Sequence, residues 1–587
     1  MTRIDAARYA TSSGGEEAFD VVVVGAGAGG MTAACVAAAE GASVLLLEQG
    51  AVVGGTTAIS GGMVWIPANH KAATCGREDT LAAARDYIAH TVPGANPARM
   101  ESFLQYGDEA LRYLEERTAL RLQPVATYPD YYPTRPGATL GGRVLEPEPF
   151  DGSQLGAAFR LLRDPLPEFT LFGGMMISRQ DIPHLRRAGR SVYAARHVLM
   201  LLLRYAGQRL RAHRGTTLYL GNAFAARLLH SALRLGVQIR TGCSVQSLGR
   251  DGPGRVSALD VRHADGTHRT FHALKAVILA TGGLSHGGEL RARYVPAAAG
   301  SLTAAVQPGT AARGAQLAEG VGAALSCRTD QGAFWVPAST FRRKDGSTGV
   351  YPHTVTDRGK PGLIAIDRHG HRFVNEALSY HEFVRAQLAS GGSAVPAWLI
   401  CDRSFLWKYG LGAVKPFALS LSHHMASGYL QRAYSIQELA GRIGVPPRAL
   451  VVTVETYNRD AQQGHDPEFG KGSDAYQRHL GDADRTPNPC LAPLVEPPFY
   501  AVQVWPADLG MSAGIRTDDH ARVLDADAAP IAGLYACGND MASVMEGAYP
   551  GPGITLGPAL TFGYLAARDA LRQSAAAAPA ADTNPVA

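Results

Sequence analysis

The clearest pattern of apolar and polar positions lies near the N-terminus. Asp20–Val24 is apolar after its first residue and runs into Gly25-Ala26-Gly27-Ala28-Gly29-Gly30; small residues follow, then a second apolar run ending at Glu48. This pattern predicts a strand, a glycine turn, a helix and a second strand, a unit of about thirty residues. Lys275–Ala280 is a further strand-like run that enters Thr281-Gly282-Gly283. Leu534–Cys537 is another, followed by a Gly/Pro-rich turn and a helix from about Gly557. Three glycine-terminated strands so far apart predict an α/β fold: one Rossmann-type domain, discontinuous in sequence, with an inserted α+β domain. The expected parts are tails at 1–18 and 573–587, the Rossmann-type domain at 19–150, 219–330 and 506–572, an insertion at 151–218, and a catalytic domain at 331–505.

Composition narrows the class. The chain has 587 residues, 46% of them hydrophobic and 18% charged, enough for real cores and against a fibrous or disordered reading. Net charge is +5, too small for a dedicated nucleic-acid binder, so no nucleic acid is expected. The seven cysteines are scattered without a CxxC, which predicts reduced thiols and no metal centre. The N-terminal residues lack an apolar secretory core, and no run of about eighteen apolar residues predicts a spanning helix.

Gly25, Gly27 and Gly30 satisfy GxGxxG, and Glu48 follows at the end of the second strand. The glycines allow a tight turn, close approach of the backbone to a pyrophosphate and close helix–strand packing, while the carboxylate suits ribose hydroxyls. A second Gly/Ser/Thr loop contains Gly55, Thr56, Thr57, Ser60, Gly61 and Gly62. It provides donors for a longer cofactor reaching out to a reactive ring.

With the ATGG and GLYACGND strands, these features resemble the FAD-binding domain of the fumarate reductase/3-ketosteroid dehydrogenase superfamily. The resemblance implies FAD, bound without a covalent link because the GGTTAISGG loop has no His, and adds Val245, Ala280, Thr281, Gly282, Gly538, Asn539 and Leu556 to the expected contacts. RFVNEALSY resembles the superfamily's RF-x-NE segment, with Tyr380 where fumarate reductases place an Arg. YPGPG at 549–553 and YPDYYP at 128–133 are similar to motifs of 3-ketosteroid Δ1-dehydrogenases.

That family resemblance implies four roles. Tyr549 and the Gly553 N–H would bind the C3 carbonyl of a 3-oxosteroid; Tyr380 would take a C2 proton; Tyr131 would assist Tyr380 by a hydrogen bond. FAD would accept hydride from C1, and a quinone or other acceptor would reoxidise it. The alternatives are a 3-oxo-5α-steroid 4-dehydrogenase, a fumarate-reductase-like reductase of unsaturated acids, and a membrane-bound flavoprotein without turnover.

One segment concentrates the charge: residues 179–214 hold nine Arg and one Asp. Ser191–Arg214 has helical period, with Val192, Leu199, Leu202, Leu203, Ala206 and Leu210 on one arc and Arg196, Arg204, Arg211 and Arg214 on another. A basic amphipathic helix fits an interfacial site on anionic lipid; the ordinary alternative is a helix covering the protein's own core. The expected location is peripheral, on the cytoplasmic side of the cell membrane. The segment resembles that of a membrane-associated subgroup acting on cholest-4-en-3-one.

Overall fold

The computed structural model describes residues 17–178, 181–252, 254–304, 312–326 and 332–576; Arg179 lies outside them. The elements that position the site are β1 (Glu17–Val24), α1 (Ala28–Ala39), β2 (Val44–Glu48), α2 (Val192–Arg209), β3 (Gln238–Thr241), β4 (Cys243–Arg250), β5 (Val256–His263) and β6 (His268–Leu279). After these come β7 (Ala333–Arg342), β8 (Thr348–Pro352), β9 (Leu363–Ile366), α3 (Tyr380–Ala389), β10 (Ala397–Cys401), β11 (Gln431–Ala433), β12 (Phe499–Met511), β13 (Arg522–Leu524), β14 (Pro530–Ala536) and α4 (Leu556–Ala576).

The three glycine-terminated strands lie side by side. β14, β6, β1, β2 and β3 pair in parallel in that order, β13 adds antiparallel at one edge, and β5 and β4 extend from β6 as an antiparallel flank. Val21–Val24 and Leu45–Leu47 are buried, as a parallel sheet covered on both faces requires. The glycine turns after β1, β6 and β14 therefore meet along the carboxyl ends of neighbouring strands, where open α/β sheets bind ligands.

A second, antiparallel sheet has the order β8-β7-β12-β10-β9, with β11 also on β12. The strand β12 runs through the boundary expected at 505/506, because its far half pairs with β7. Among the described residues, β1 includes Glu17 and α4 continues to Ala576, within the spans expected for the two tails.

The basic segment differs from expectation in two ways: its helix stops at Arg209, and Arg214 does not belong to its exposed face. The arc of Val192, Leu199, Leu203 and Leu210 faces outward, those residues being 88, 54, 57 and 88% exposed. Ala194 and Leu201 face the protein instead. Arg214 is buried: beyond the helix end the chain turns back, its guanidinium bonds Asp164 (2.6 Å) and Asn222 (3.0 Å) and stacks on Phe159. It leaves the cationic arc. Among the described residues no helix is long and apolar enough to cross a membrane.

Candidate active site

The βα turn is built as its glycines require. The Gly25 N–H donates to Leu47 (2.7 Å), and a Cβ on Gly30 would lie 1.9 Å from the Gly25 oxygen. Gly27 caps α1 with no side-chain bond, and a Cβ there would enter open space. Bare main chain thus faces outward at the positive end of a helix, which suits a pyrophosphate.

The Glu48 carboxylate accepts from the Ala26 N–H (3.0 Å) and the Gly50 N–H (2.8 Å). Burial raises its pKa, opposed by these bonds and by the nearby Arg163 guanidinium.

The second loop folds onto this turn. The Gly54 N–H donates to Ala26, and Gly55 lies against Gly27. The Thr57 hydroxyl caps α1 by accepting from the Ala28 N–H (3.1 Å), and the Ser60 hydroxyl donates to the Thr57 carbonyl (2.8 Å) and accepts from the Gly62 N–H. Both hydroxyls shape the loop. Thr56 stands between Gly55 and Thr57, and Gly61 is exposed.

At the neighbouring strand ends the Ala280 N–H donates to Val24, and Gly282 and Gly538 have left-handed backbone with open space beside them. Asn539 packs on Gly510 and Leu556 opens α4. Val245 stands on the antiparallel flank, its carbonyl accepting from Arg313 (2.8 Å).

Sequence reasoning missed Asp540, which accepts from the Thr281 N–H (2.5 Å), the Thr281 hydroxyl (2.9 Å) and the Gly283 N–H (2.8 Å), joining the turns after β6 and β14. A lone carboxylate in an otherwise small and apolar turn was the available signal. The cradle's donors, the Glu48 carboxylate and the glycines facing open space fit an FAD. Gly30→Ala should force the turn apart at about 3 kcal/mol or more, roughly a hundredfold in FAD affinity, measured by flavin fluorescence on reconstitution.

The four candidate residues of the second site come from three segments, no two of them nearer in sequence than the 169 positions between Tyr380 and Tyr549. Tyr380 opens α3 behind the N-cap Ser379, and its hydroxyl donates to that of Tyr549 at 2.8 Å. Tyr131 stacks on Tyr549 (5.5 Å between ring centroids) and meets Tyr380 edge-on (5.6 Å). All three are buried. The Tyr131 hydroxyl, expected to bond Tyr380, makes no hydrogen bond of normal geometry to described residues, although it stands close enough to lower the Tyr380 pKa against the effect of burial; Tyr380 donates its own proton to Tyr549. Burial drives the pKa of each of the three phenols up.

Gly553 has φ +99°, its carbonyl accepts from the Trp65 N–H (3.2 Å), and its own N–H makes no hydrogen bond to described residues. His381 accepts from the Trp335 N–H (3.2 Å), and burial lowers its pKa to about 4, so the ring packed on Tyr549 is neutral.

A buried frame fixes the two tyrosine loops to each other. The Tyr131 N–H donates to the Pro550 carbonyl (3.0 Å). The Tyr87 hydroxyl donates to the same carbonyl (2.6 Å) and accepts from the Tyr132 N–H (3.3 Å). Asp130 accepts from Trp65 Nε1 (2.9 Å) and Arg143 (2.8 Å), and Arg143 also binds Asp79 (2.7 Å). In sequence these charges look like any surface residues, and only the fold shows them enclosed.

The family model for an FAD binding domain matches residues 20–556. A 3-ketosteroid Δ1-dehydrogenase from Sterolibacterium denitrificans, solved in complex with 1,4-androstadiene-3,17-dione, is 36% identical with a TM-score of 0.87, covering 95% of this chain and 100% of that one. The chain belongs to this FAD-binding family. Its curated relatives include a 3-oxosteroid 1-dehydrogenase from Mycolicibacterium smegmatis, 35% identical over 89% of this chain and 92% of that protein. A 4-oxocyclohex-2-ene-1-carboxylate 5-dehydrogenase from Sinomonas cyclohexanicum is 37% identical over 89% and 88%. The chain is a flavoprotein oxidoreductase with FAD as cofactor. The likeness to a flavocytochrome c3 fumarate reductase, 21% identical with a TM-score of 0.61, is one of fold.

Proposed function

We propose that the chain is a 3-oxosteroid 1-dehydrogenase, converting a 3-oxo-Δ4-steroid to the 3-oxo-Δ1,4 product in steroid degradation. The observation that carries this reading is the pair of buried hydroxyls on Tyr380 and Tyr549, 2.8 Å apart and joined to each other. A ring ketone needs a donor at its oxygen and a base at the adjacent carbon, two positions separated by only two bonds. Tyr549 and the Gly553 N–H take the oxygen, and Tyr380 takes the C2 proton. FAD, when bound, accepts the hydride from C1 and delivers its electrons to a quinone or other acceptor. Gly25, Gly27, Gly30 and Glu48 hold its adenosine and pyrophosphate part non-covalently.

Relatives acting on oxocyclohexane carboxylates also work beside a ring ketone, but a carboxylate calls for a cationic partner. The buried guanidinium among these tyrosines, Arg358, has its donors taken by main-chain carbonyls, which favours an uncharged polycyclic ketone. Anaerobic mixing with androst-4-ene-3,17-dione, cholest-4-en-3-one and 4-oxocyclohexanecarboxylate tests this. Bleaching of oxidised flavin by the steroids, with loss of two hydrogens at C1 and C2, supports the reading; bleaching by the carboxylate alone overturns it.

The enzyme also docks on the cytoplasmic face of the membrane through α2. Val192, Leu199, Leu203 and Leu210 face outward, and Arg196, Arg204 and Arg211 are exposed and form no salt bridge with described residues. Apolar side chains entering acyl chains contribute on the order of 1.5–3 kcal/mol each, and each Arg near anionic headgroups about 1 kcal/mol. Leu199→Glu with Leu203→Glu should abolish co-sedimentation with phosphatidylglycerol vesicles while FAD and turnover persist. Undiminished sedimentation would remove α2 as the anchor.

A further inference from the structure

The reaction assigned to Tyr380 leaves an electrostatic problem. A phenol acts as a base through its phenolate, and this one is buried among other phenols. Tyr549 lies at its hydroxyl, Tyr131 at its ring edge, Tyr128 nearby, and Tyr476 behind Tyr131 at 4.7 Å between ring centroids. None of these carries positive charge, and neither does neutral His381. Two other buried cations, Arg372 and Lys471, are paired with Glu376 (2.9 and 3.3 Å), and Arg372 also with Asp466 (2.9 Å).

Arg358 differs. It is 1% exposed, and its guanidinium donates to the carbonyls of His353 (2.9 Å), Thr354 (3.0 Å), Glu376 (2.9 Å) and Leu378 (3.2 Å) while lying over the Phe383 ring at 4.9 Å. Glu376 and Leu378 lead directly into Tyr380, and Phe383 is one turn further along α3. The neighbouring Asp357 carboxylate is engaged elsewhere, by His353 Nδ1 (2.6 Å) and the N–H groups of Arg358 and Gly412 (2.8 and 3.3 Å). The Arg358 charge therefore has main-chain dipoles around it and no carboxylate on its guanidinium. Burial lowers its pKa, and the phenols of Tyr476, Tyr131 and Tyr380, together with Asp357, oppose that shift.

We propose that Arg358 is the fixed counter-cation of the tyrosine cluster, a positioning residue that holds the main chain entering α3 and stabilises the Tyr380 phenolate that receives the C2 proton. The proton moves from C2 to the phenolate oxygen, and the electron pair of the C–H bond passes into the enolate held by Tyr549. This inference rests on the desaturase reading above. Its burden is specific: a guanidinium that only held the loop would affect stability and leave the titration of the base in place.

The test is the pH profile of 1,2-desaturation of androst-4-ene-3,17-dione by FAD-loaded enzyme. In Arg358→Gln the ascending limb should move up by at least about one pH unit, a tenfold loss at neutral pH, with rates approaching wild type at high pH. Arg358→Lys, which keeps the charge, should restore most of the shift. Arg358→Gln that binds FAD and retains the wild-type limb overturns the proposal and leaves the desaturase reading intact. Absence of any steroid turnover in the wild type sinks that reading instead. Should Arg358→Gln fail to fold, ultraviolet titration of tyrosinate in the wild type against Tyr380→Phe, Tyr131→Phe and Tyr549→Phe decides: Tyr380 ionising before its buried neighbours Tyr131 and Tyr549 supports the counter-cation, and Tyr380 ionising with or after them refutes it.

Discussion

Tyr380→Phe is expected to yield a folded, yellow, FAD-containing protein that has lost steroid 1,2-desaturation by about two to four orders of magnitude, the usual contribution of a general base. The ring stays in place because its edge contacts with Tyr131 and Tyr549 do not involve the oxygen. Removing the hydroxyl costs about 1 kcal/mol of stability, from its bond to Tyr549. Exchange of the C2 proton with solvent should vanish together with turnover, since both need the same base; normal exchange in this variant would remove Tyr380 from that role. The pH dependence has a definite sign. Burial raises the Tyr380 pKa above that of a free phenol, so the active phenolate is a minor form at neutral pH and wild-type turnover should climb as pH rises. A falling profile over the same range would be incompatible with a phenolate base.

The sequence was most legible where a local pattern serves a local need. Glycines at 25, 27 and 30 and a carboxylate at 48 stand at fixed spacing because one turn must bring main chain to a pyrophosphate, and the same unit appears as β1, α1 and β2. The joining of Tyr380 to Tyr549 across 169 positions has no such spacing, and only family resemblance placed them together. Burial was the least legible property. Asp130 and Arg143 read as solvated charges but are enclosed against Trp65, and Arg214 reads as part of a basic face but turns inward to Asp164. In α2 the apolar arc could be read from period alone, yet period does not say whether that arc meets a core or the outside. The direction is set by Ala194 and Leu201 packing inward from the opposite side, a tertiary choice.

Tyr549→Phe should have the second large effect, through the ketone oxygen. The hydroxyl is held in a fixed place before substrate arrives: the ring is stacked on Tyr131, edge-on to Phe334 at 5.5 Å, and buried. Gly553 is equally constrained, since its left-handed backbone and its carbonyl bond from Trp65 aim the N–H independently of substrate. Donors fixed in this way pay no reorganisation as charge develops on the oxygen, and loss of one typically costs about 3–4 kcal/mol of barrier. We expect kcat to fall by roughly a hundred- to a thousandfold, with FAD content and steroid KM little changed, because the donor matters most when the oxygen carries enolate charge. Solvent exchange at C2 should slow by a similar factor, which separates this role from one in hydride transfer alone. If Tyr549→Phe lowered turnover yet left C2 exchange at the wild-type rate, the tyrosine would be orienting C1 rather than stabilising an enolate, and the oxyanion role would fall to Gly553.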